Sequence, residues 1–236
     1  MKTEKIIPAI MPQSFQEIEE YALFVRQVVT SVQLDLMDGK YVPEKTWPFY
    51  HQADVFLDAL KKGKEGFPFW KELDYELDLM VVRPEEKLET WMKLGASRVI
   101  FHYASVHDWE KIKRIDESLR NFTQLGLALT IHDDLETAFP LLEEKVFDFV
   151  QVMGIAHIGY MGEPFEEKSL TLIKKIKEKF PQLSISVDGG VSETTLPLLR
   201  EAGAERFVSG SYVFHHGIPQ ENVQFLDHLA QSLERE

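Results

Sequence analysis

The chain has 236 residues, no cysteine, 39 acidic against 26 basic side chains, and a formal net charge of −13. This length fits one large domain with a substantial core, and hydrophobic residues at 44% exclude a disordered chain. Without cysteine, disulfide scaffolds, zinc–thiolate sites, iron–sulfur clusters and thiol nucleophiles are excluded, and the acidic excess predicts no nucleic-acid or membrane partner.

The N-terminal segment does not have the pattern of a signal peptide. Its apolar run is short, is interrupted by Pro8, and is not followed by a small-residue cleavage site. No later segment is long and apolar enough to span a bilayer. We therefore expect a cytoplasmic protein.

Short apolar runs alternate along the chain with longer amphipathic segments, which is the pattern of strands alternating with helices. The runs predict strands at Lys5–Met11, Ser31–Asp38, Tyr75–Val82, Arg98–Tyr103, Gly126–His132, Phe147–Met153, Ser184–Asp188 and Arg206–Ser209.

The segments between these strands carry helix start and stop signals. Ser14 and Glu17 form a capping box that predicts a helix through Val28. Proline, acidic residues and terminal glycines predict further helices. Their expected ranges are Asp54–Lys61, Pro84–Leu94, Glu166–Phe180 and Ser192–Ala202.

Eight strands alternating with helices predict right-handed βαβ units and a parallel sheet. No Gly-x-Gly-x-x-Gly motif follows the first strand, and no linker divides the chain. The sequence therefore predicts a single (β/α)8 TIM barrel domain over residues 1–236, and an open doubly wound sheet is the alternative.

Several polar side chains are predicted to face the barrel interior, where apolar residues are usual. The two-residue alternation of strands places Gln33 and Asp35 on one face of the second strand and Asp78 on the same face of the third. The seventh strand ends at Asp188. One such aspartate is usually a turn or helix cap, but three at the ends of different strands favour one functional site at the barrel mouth.

Glycines follow the last three strands. The positions are Gly159 and Gly162 after the sixth, Gly189 and Gly190 after the seventh, and Gly210 with Ser211 after the eighth. Glycines serve tight turns in general, but the loops after strands seven and eight form the usual phosphate site of this fold. These six residues are therefore predicted to bind phosphate through backbone N–H groups.

Several motifs in order along residues 6–214 resemble the ribulose-phosphate 3-epimerase family. They are Ile7-Pro-Ala-Ile10, Asp35-Leu-Met-Asp-Gly39, Asp78-Leu-Met80, Gly95-Ala-Ser-Arg-Val-Ile-Phe-His102, Val187-Asp-Gly-Gly-Val191 and Ser209-Gly-Ser211. The resemblance implies a ribulose-phosphate-binding barrel that inverts one carbon of a small phosphorylated ketose.

The resemblance also implies the roles of individual residues. Asp35 and Asp188 occupy the positions of two aspartates that face opposite sides of the substrate, one removing a proton to give an enediolate and the other returning it. Met37, Met80 and Met153 match methionines that crowd the substrate pocket. A divalent metal in the family stabilises the enediolate charge.

Two departures concern the metal. The family uses two histidines with its two aspartates, and these histidines are Gln33 and Asp78 here. An all-oxygen set of Gln33, Asp35, Asp78 and Asp188 suits Mg²⁺ or Mn²⁺ better than Zn²⁺, and no organic cofactor is expected. Without a cation, neighbouring carboxylates raise the pKa of at least one of the group.

These observations leave three hypotheses open. The first is an epimerase-like isomerase; the second is a paralogue that binds a sugar phosphate as a sensor or partner without epimerising it. The third is another reaction of phosphate-binding barrels. The aromatic segments Trp47–Tyr50 and Phe67–Trp70 indicate either an interface of a homo-oligomer, a lid, or packing at the edge of the core.

Overall fold

The computed structural model describes residues 2–50 and 54–233. In these residues eight parallel strands form a closed barrel in chain order, with the first strand also paired to the last. The strands are β1 Ile6–Ile10, β2 Ser31–Met37, β3 Asp74–Met80, β4 Arg98–His102, β5 Gln124–Leu129, β6 Phe149–Met153, β7 Ser184–Asp188 and β8 Arg206–Ser209. The predicted (β/α)8 barrel is confirmed.

Helices cover the outside of the barrel. They are α1 Phe15–Val25, α2 Val55–Lys61, α3 Leu88–Met92, α4 Trp109–Lys113, α5 Glu117–Arg120, α6 Leu135–Glu143, α7 Lys168–Lys179, α8 Leu196–Ala202, α9 Ser211–His215 and α10 Pro219–Ser232. None of the helices in the described ranges is long and apolar enough to cross a membrane.

The capping prediction for α1 is confirmed. The Ser14 hydroxyl accepts a hydrogen bond from the backbone N–H of Glu17 at 3.2 Å. The Glu17 carboxylate accepts the backbone N–H of Gln13, the residue before the cap, at 2.8 Å, so the Glu17 side chain also folds back over the start of the helix. The helix begins where the sequence predicts and ends at Val25, three residues before the predicted end.

Two other helix predictions were wrong at their starts. Arg83 has a left-handed φ of 51° and leads into a 3₁₀ turn over Pro84–Lys87, so the helix predicted from Pro84 is only Leu88–Met92. The segment after β7 begins with a side-chain turn, in which the Thr195 hydroxyl accepts the Ser192 N–H at 2.9 Å. The α8 helix therefore begins at Leu196.

The two faces of the strands divide the core. Val32, Leu34 and Leu36 of β2 belong to the main apolar core between sheet and helices. The alternate residues Gln33 and Asp35 face the barrel interior. The interior thus collects polar groups, while most of the hydrophobic stabilisation lies outside the sheet.

An ion pair closes the N-terminal end of the barrel. Both Arg206 guanidinium N–H₂ groups bind the fully buried Glu76 carboxylate, one of them at 3.1 Å. The Arg98 guanidinium lies 4.5 Å from the centre of the Phe149 ring nearby. The buried pair therefore lies at the N-terminal end of the barrel interior, opposite the C-terminal ends of the strands.

The aromatic segments pack mainly as core. Trp47 and Phe67 are buried and contact Phe15 at ring-centre distances of 5.6 and 6.4 Å. Trp70, by contrast, is 62% exposed. Of the three interpretations of these segments, core packing holds for their buried members.

Candidate active site

Three aspartates meet at the C-terminal end of the barrel interior. Asp35 of β2 is the register partner of Asp78 on β3, and Asp188 ends β7. Each carboxylate offers an oxygen within 4.8 Å of the other two, and all three are buried. The convergence predicted from strand alternation is therefore present.

Gln33 joins two of these aspartates. Its amide nitrogen donates to Asp35 Oδ1 at 2.9 Å and to Asp188 Oδ2 at 2.7 Å. One side chain therefore sets the spacing between carboxylates from strands that are not neighbours in the barrel. In this structure the residue predicted as a metal ligand positions the two predicted acid/base groups.

A second glutamine, Gln151 of β6, was missed by the sequence analysis. Its amide nitrogen lies 3.2 Å from Asp188 Oδ2 and 3.4 Å from Asp78 Oδ2. The signal was present, because alternation along β6 places Gln151 between Phe149 and Met153 on the inner face. A glutamine between two large apolar residues on the same inward face indicates a polar group directed into the barrel interior.

His102, which ends β4, contacts Asp78. Its Nε2 lies 2.8 Å from Asp78 Oδ1, and both side chains are fully buried. Burial by itself lowers the pKa of His102, but the charge and hydrogen bond of Asp78 raise the pKa, which ends above its ordinary value. His102 thus partly compensates the negative charge of Asp78, the most deeply buried of the three carboxylates.

The protonation of the other two aspartates is strongly perturbed. Burial, followed by the charges of Asp188 and Asp78, holds the pKa of Asp35 well above its ordinary value. Burial and the charge of Asp78 raise the pKa of Asp188 to about 7, against the lowering effect of Gln33. Asp188 can therefore hold and release a proton near neutral pH.

Only two of the three aspartates reach the mouth. Asp35 is 7% and Asp188 8% exposed, whereas Asp78 has no exposed surface. Asp35 and Asp188 line a cavity at the strand ends, together with Met80 and Met153. The third predicted methionine, Met37, packs against Val42 and Met80 in a buried cluster and does not line this cavity.

The glycine loops form the other wall of this cavity. All six residues predicted to bind phosphate line it: Gly159, Gly162, Gly189, Gly190, Gly210 and Ser211. Gly189 and Gly190 have φ angles of 90° and 67°, and a Cβ at Gly190 would lie 3.0 Å from the Phe165 Cα. Glycine is required there for both conformation and space.

The loop between β6 and α7 covers the mouth. A Cβ at Gly159 would lie 2.7 Å from Val42 of the loop after β2, and the Met161 side chain lies over Gly210. The cavity between these loops is partly open to solvent and has a volume of about 50 Å³. These contacts narrow the approach to Asp35 and Asp188.

The donors at the site fit a hard divalent cation. The three carboxylates converge, and the amide oxygens of Gln33 and Gln151 are buried without a hydrogen-bond partner. A buried oxygen without a hydrogen-bond partner costs free energy of folding. Sets of oxygen ligands are those that Mg²⁺ and Mn²⁺ prefer. Among the described residues this is the group of acidic and histidine side chains whose geometry suits an ion.

The chain is similar to known proteins over nearly its whole length. A profile of the ribulose-phosphate 3 epimerase family matches residues 5–214. Ribulose-phosphate 3-epimerase of Schizosaccharomyces pombe is 28% identical over 227 residues, covering 96% of this chain and 93% of that protein. A cytoplasmic isoform from Oryza sativa subsp. japonica is 28% identical over 225 residues, covering 94% and 92%.

Two solved structures share the fold. A crystal structure of KGPDC from Streptococcus mutans superposes with a TM-score of 0.72 at 14% identity, covering 97% of this chain and 98% of that one. The 3-hexulose-6-phosphate synthase of Salmonella typhimurium has a TM-score of 0.68 at 19% identity, covering 97% and 99%. At these identities the likeness shows the barrel fold alone.

Proposed function

The chain belongs to the ribulose-phosphate 3-epimerase family, as its motifs predicted, and on that premise we propose that it epimerises a small phosphorylated ketose. The carbon inverted is the one next to the carbonyl, and the reaction passes through an enediolate. Asp35 and Asp188 are the two groups that move the proton.

The observation that carries this proposal is the pairing of Asp35 and Asp188 at the cavity. They stand on β2 and β7, which are not adjacent strands, and the proposal places the reacting carbon of the substrate between them. Inversion requires one group to remove the proton from one face and another to deliver a proton to the opposite face. The pKa of about 7 for Asp188 suits a group that must do either near neutrality.

The carboxylates of Asp35, Asp78 and Asp188 would hold Mg²⁺ or Mn²⁺, which would supply positive charge for the developing enediolate. In this structure the amide nitrogens of Gln33 and Gln151 face these carboxylates, so each amide would have to turn to offer its unpartnered oxygen to the ion. His102 fixes Asp78 through the bond at 2.8 Å, so the carboxylate is oriented before any ion arrives.

The phosphate of the substrate is proposed to lie at the glycine loops after β6, β7 and β8. Support comes from the six glycine and serine positions that line the cavity on that side. The glycine positions in these loops let backbone N–H groups approach an anion closely. The sugar carbons would then extend from these loops toward Asp35 and Asp188.

One observation favours the second candidate, a sugar-phosphate binder without epimerase activity. The Gln33 amide already bridges Asp35 and Asp188, and Asp78 is paired with His102. The amide N–H groups of Gln33 are thus satisfied without any ligand. A binder of this kind would bind the sugar phosphate and leave its carbon-bound hydrogens unexchanged.

Solvent-deuterium exchange separates the two candidates. We expect the protein, supplied with Mg²⁺, Mn²⁺ or Zn²⁺ in turn, to incorporate deuterium from D₂O into D-ribulose 5-phosphate. Asp188→Asn should lower the rate at least about 100-fold, because removing a general acid/base typically costs that much. Asp58→Asn on the exposed surface of α2 is the matched control and should keep full activity.

The result that refutes the proposal is equally specific. No exchange into ketose phosphates with any of the three metals, while calorimetry still shows the sugar phosphate binding, supports the binder instead. An Asp188→Asn variant as active as Asp58→Asn removes the proposed role of Asp188.

A further inference from the structure

The end of β2 that carries Asp35 extends past the neighbouring strand β1. The register pairs of β1 with β2 end at Ile10 and Leu34, whereas those of β3 with β2 continue to Met37. The last three residues of β2 are therefore paired on the β3 side and lie beyond β1 on the other. Backbone N–H and C=O groups on that free edge need other hydrogen-bond partners, because a buried unpaired backbone group costs free energy.

Thr46, in the loop after β2, supplies these partners. Its hydroxyl donates a hydrogen bond to the Asp35 carbonyl oxygen at 2.6 Å and accepts one from the Met37 backbone N–H at 2.8 Å. The backbone N–H of Thr46 donates to the Met37 carbonyl oxygen at 3.0 Å. Thr46 is 2% exposed, and hydrogen bonds in such a buried place are stronger than those at the surface.

The loop is anchored on both sides of Thr46. Lys45 forms an antiparallel bridge with Asp38, the residue that follows β2. The backbone N–H of Trp47 donates to the Pro12 carbonyl oxygen, in the loop after β1, at 2.7 Å, and the Trp47 side chain is buried in the main core. The Thr46 hydroxyl is therefore held in place by its own neighbours, and it joins this fixed segment to the end of β2.

We propose that Thr46 is a positioning residue that fixes Asp35 for proton transfer. The inference rests on the proposed function. Asp35 lines the cavity, whereas Thr46 lies outside the lining and acts through the main chain of Asp35. A group that moves a proton must lie within hydrogen-bond reach of the reacting carbon's proton, and a misplacement of about 1 Å costs about 100-fold in rate.

Thr46→Val is the direct test, because valine has nearly the shape of threonine and lacks the hydroxyl. We expect kcat for D-ribulose 5-phosphate to fall about 10- to 100-fold while KM changes less than about twofold, since the phosphate is proposed to bind at other loops. Thr46→Ser keeps the hydroxyl and should restore kcat to within about threefold of the parent.

Thr123→Val is the matched control for loss of a buried hydroxyl. Thr123 is 5% exposed, and its Oγ1 donates to the Ala96 carbonyl oxygen at 3.0 Å. It directly precedes β5, so it lies at the opposite end of the barrel from Asp35. We expect both valine variants to melt at a lower temperature than the parent, and only Thr46→Val to lose kcat. A purely structural role of Thr46 would leave kcat unchanged in both.

Amide hydrogen exchange gives a readout that needs no turnover. The Met37 N–H should be protected in the metal-free parent and in Thr46→Ser, and should exchange about tenfold faster in Thr46→Val, because its hydrogen-bond acceptor is gone.

Two results would overturn the inference. The first is a Thr46→Val variant whose kcat equals that of Thr123→Val. The second is a Met37 N–H that exchanges at the same rate in Thr46→Val and Thr46→Ser. A parent that incorporates no deuterium into ketose phosphates refutes the proposed epimerase, and the Met37 comparison still decides whether Thr46 holds this strand end.

Discussion

From the raised pKa of Asp188 we predict how the free energy of unfolding of the metal-free protein changes with pH. In the folded chain this pKa is raised to about 7, against an ordinary value of 3.8. Between these two pH values the folded state binds the proton and the unfolded state has released it. The free energy of unfolding therefore falls as pH rises through this interval, and is level with respect to this group below and above it.

The magnitude follows from the same two values. Each pH unit in the interval is worth about 1.4 kcal/mol, so the range from 3.8 to about 7 corresponds to about 4 kcal/mol. Of this, about 2–3 kcal/mol lies between pH 5 and pH 7. The raised pKa of Asp35 acts in the same direction. The metal-free protein should thus be least stable where its carboxylates are ionised together.

The assay is urea unfolding in EDTA at pH 5, 6, 7 and 8, with the parent and Asp188→Asn compared at each pH. The comparison cancels the groups that do not interact with Asp188, whereas Asp35, whose pKa is raised partly by the charge of Asp188, titrates together with it. Because asparagine cannot ionise, the variant should gain about 2–3 kcal/mol over the parent between pH 5 and pH 7. Asp58→Asn, exposed on α2, should show a difference from the parent that is independent of pH.

A difference in unfolding free energy between the parent and Asp188→Asn that is the same at pH 5 and pH 8 would contradict a raised pKa of Asp188. A parent that gains stability relative to the variant as pH rises would contradict it as well. Either result would mean that the buried carboxylate is ionised in the folded protein at low pH, with its charge compensated.

Three further perturbations test other parts of the structure. Adding Mg²⁺ or Mn²⁺ at pH 8 should raise the melting temperature, and EDTA should reverse the effect. At a metal concentration one hundred times the dissociation constant, the free energy of unfolding should rise by about 2.7 kcal/mol. Gly190 has a φ of 67°, and a Cβ there would lie 3.0 Å from the Phe165 Cα, so Gly190→Ala should destabilise the protein by about 1–3 kcal/mol and weaken phosphate binding in calorimetry. Gly63 has a similar φ of 63° but nothing within 4 Å of such a Cβ, so Gly63→Ala should show only the conformational cost. Glu76→Gln breaks the buried pair with Arg206 and should cost about 3–5 kcal/mol in urea unfolding, while Glu89→Gln at an exposed pair should cost less than about 1 kcal/mol.

Much of this architecture follows from local pattern. Strand β7 begins and ends where the sequence predicts, and the Ser14 cap begins α1 as expected. Alternation correctly placed Asp35 and Asp78 on the inner face, because the side-chain period of a strand is a property of the strand alone. The fold was predictable because repeated βα units leave few ways to bury both faces of a parallel sheet.

Other local predictions were wrong for local reasons. The helix predicted from Pro84 lost its first turn to a 3₁₀ segment because Arg83 adopts a left-handed conformation. The helix predicted from Ser192 lost its first turn to hydrogen bonds between hydroxyl groups and backbone. Serine and threonine near a helix start offer the backbone alternative partners, so the boundary depends on which bonds form.

The sequence by itself determined which residue types face the barrel interior, which loops carry glycine, and to which family the chain belongs. Only the tertiary structure decided that Gln33 bridges Asp35 to Asp188, that Gln151 joins them, and that Thr46 binds the end of β2. The physical reason is that alternation fixes the side of a strand on which a residue lies, whereas contacts across the interior join strands far apart in sequence. Those contacts depend on how the closed barrel staggers its strands and on where the loop between Ile155 and Phe165 crosses its mouth.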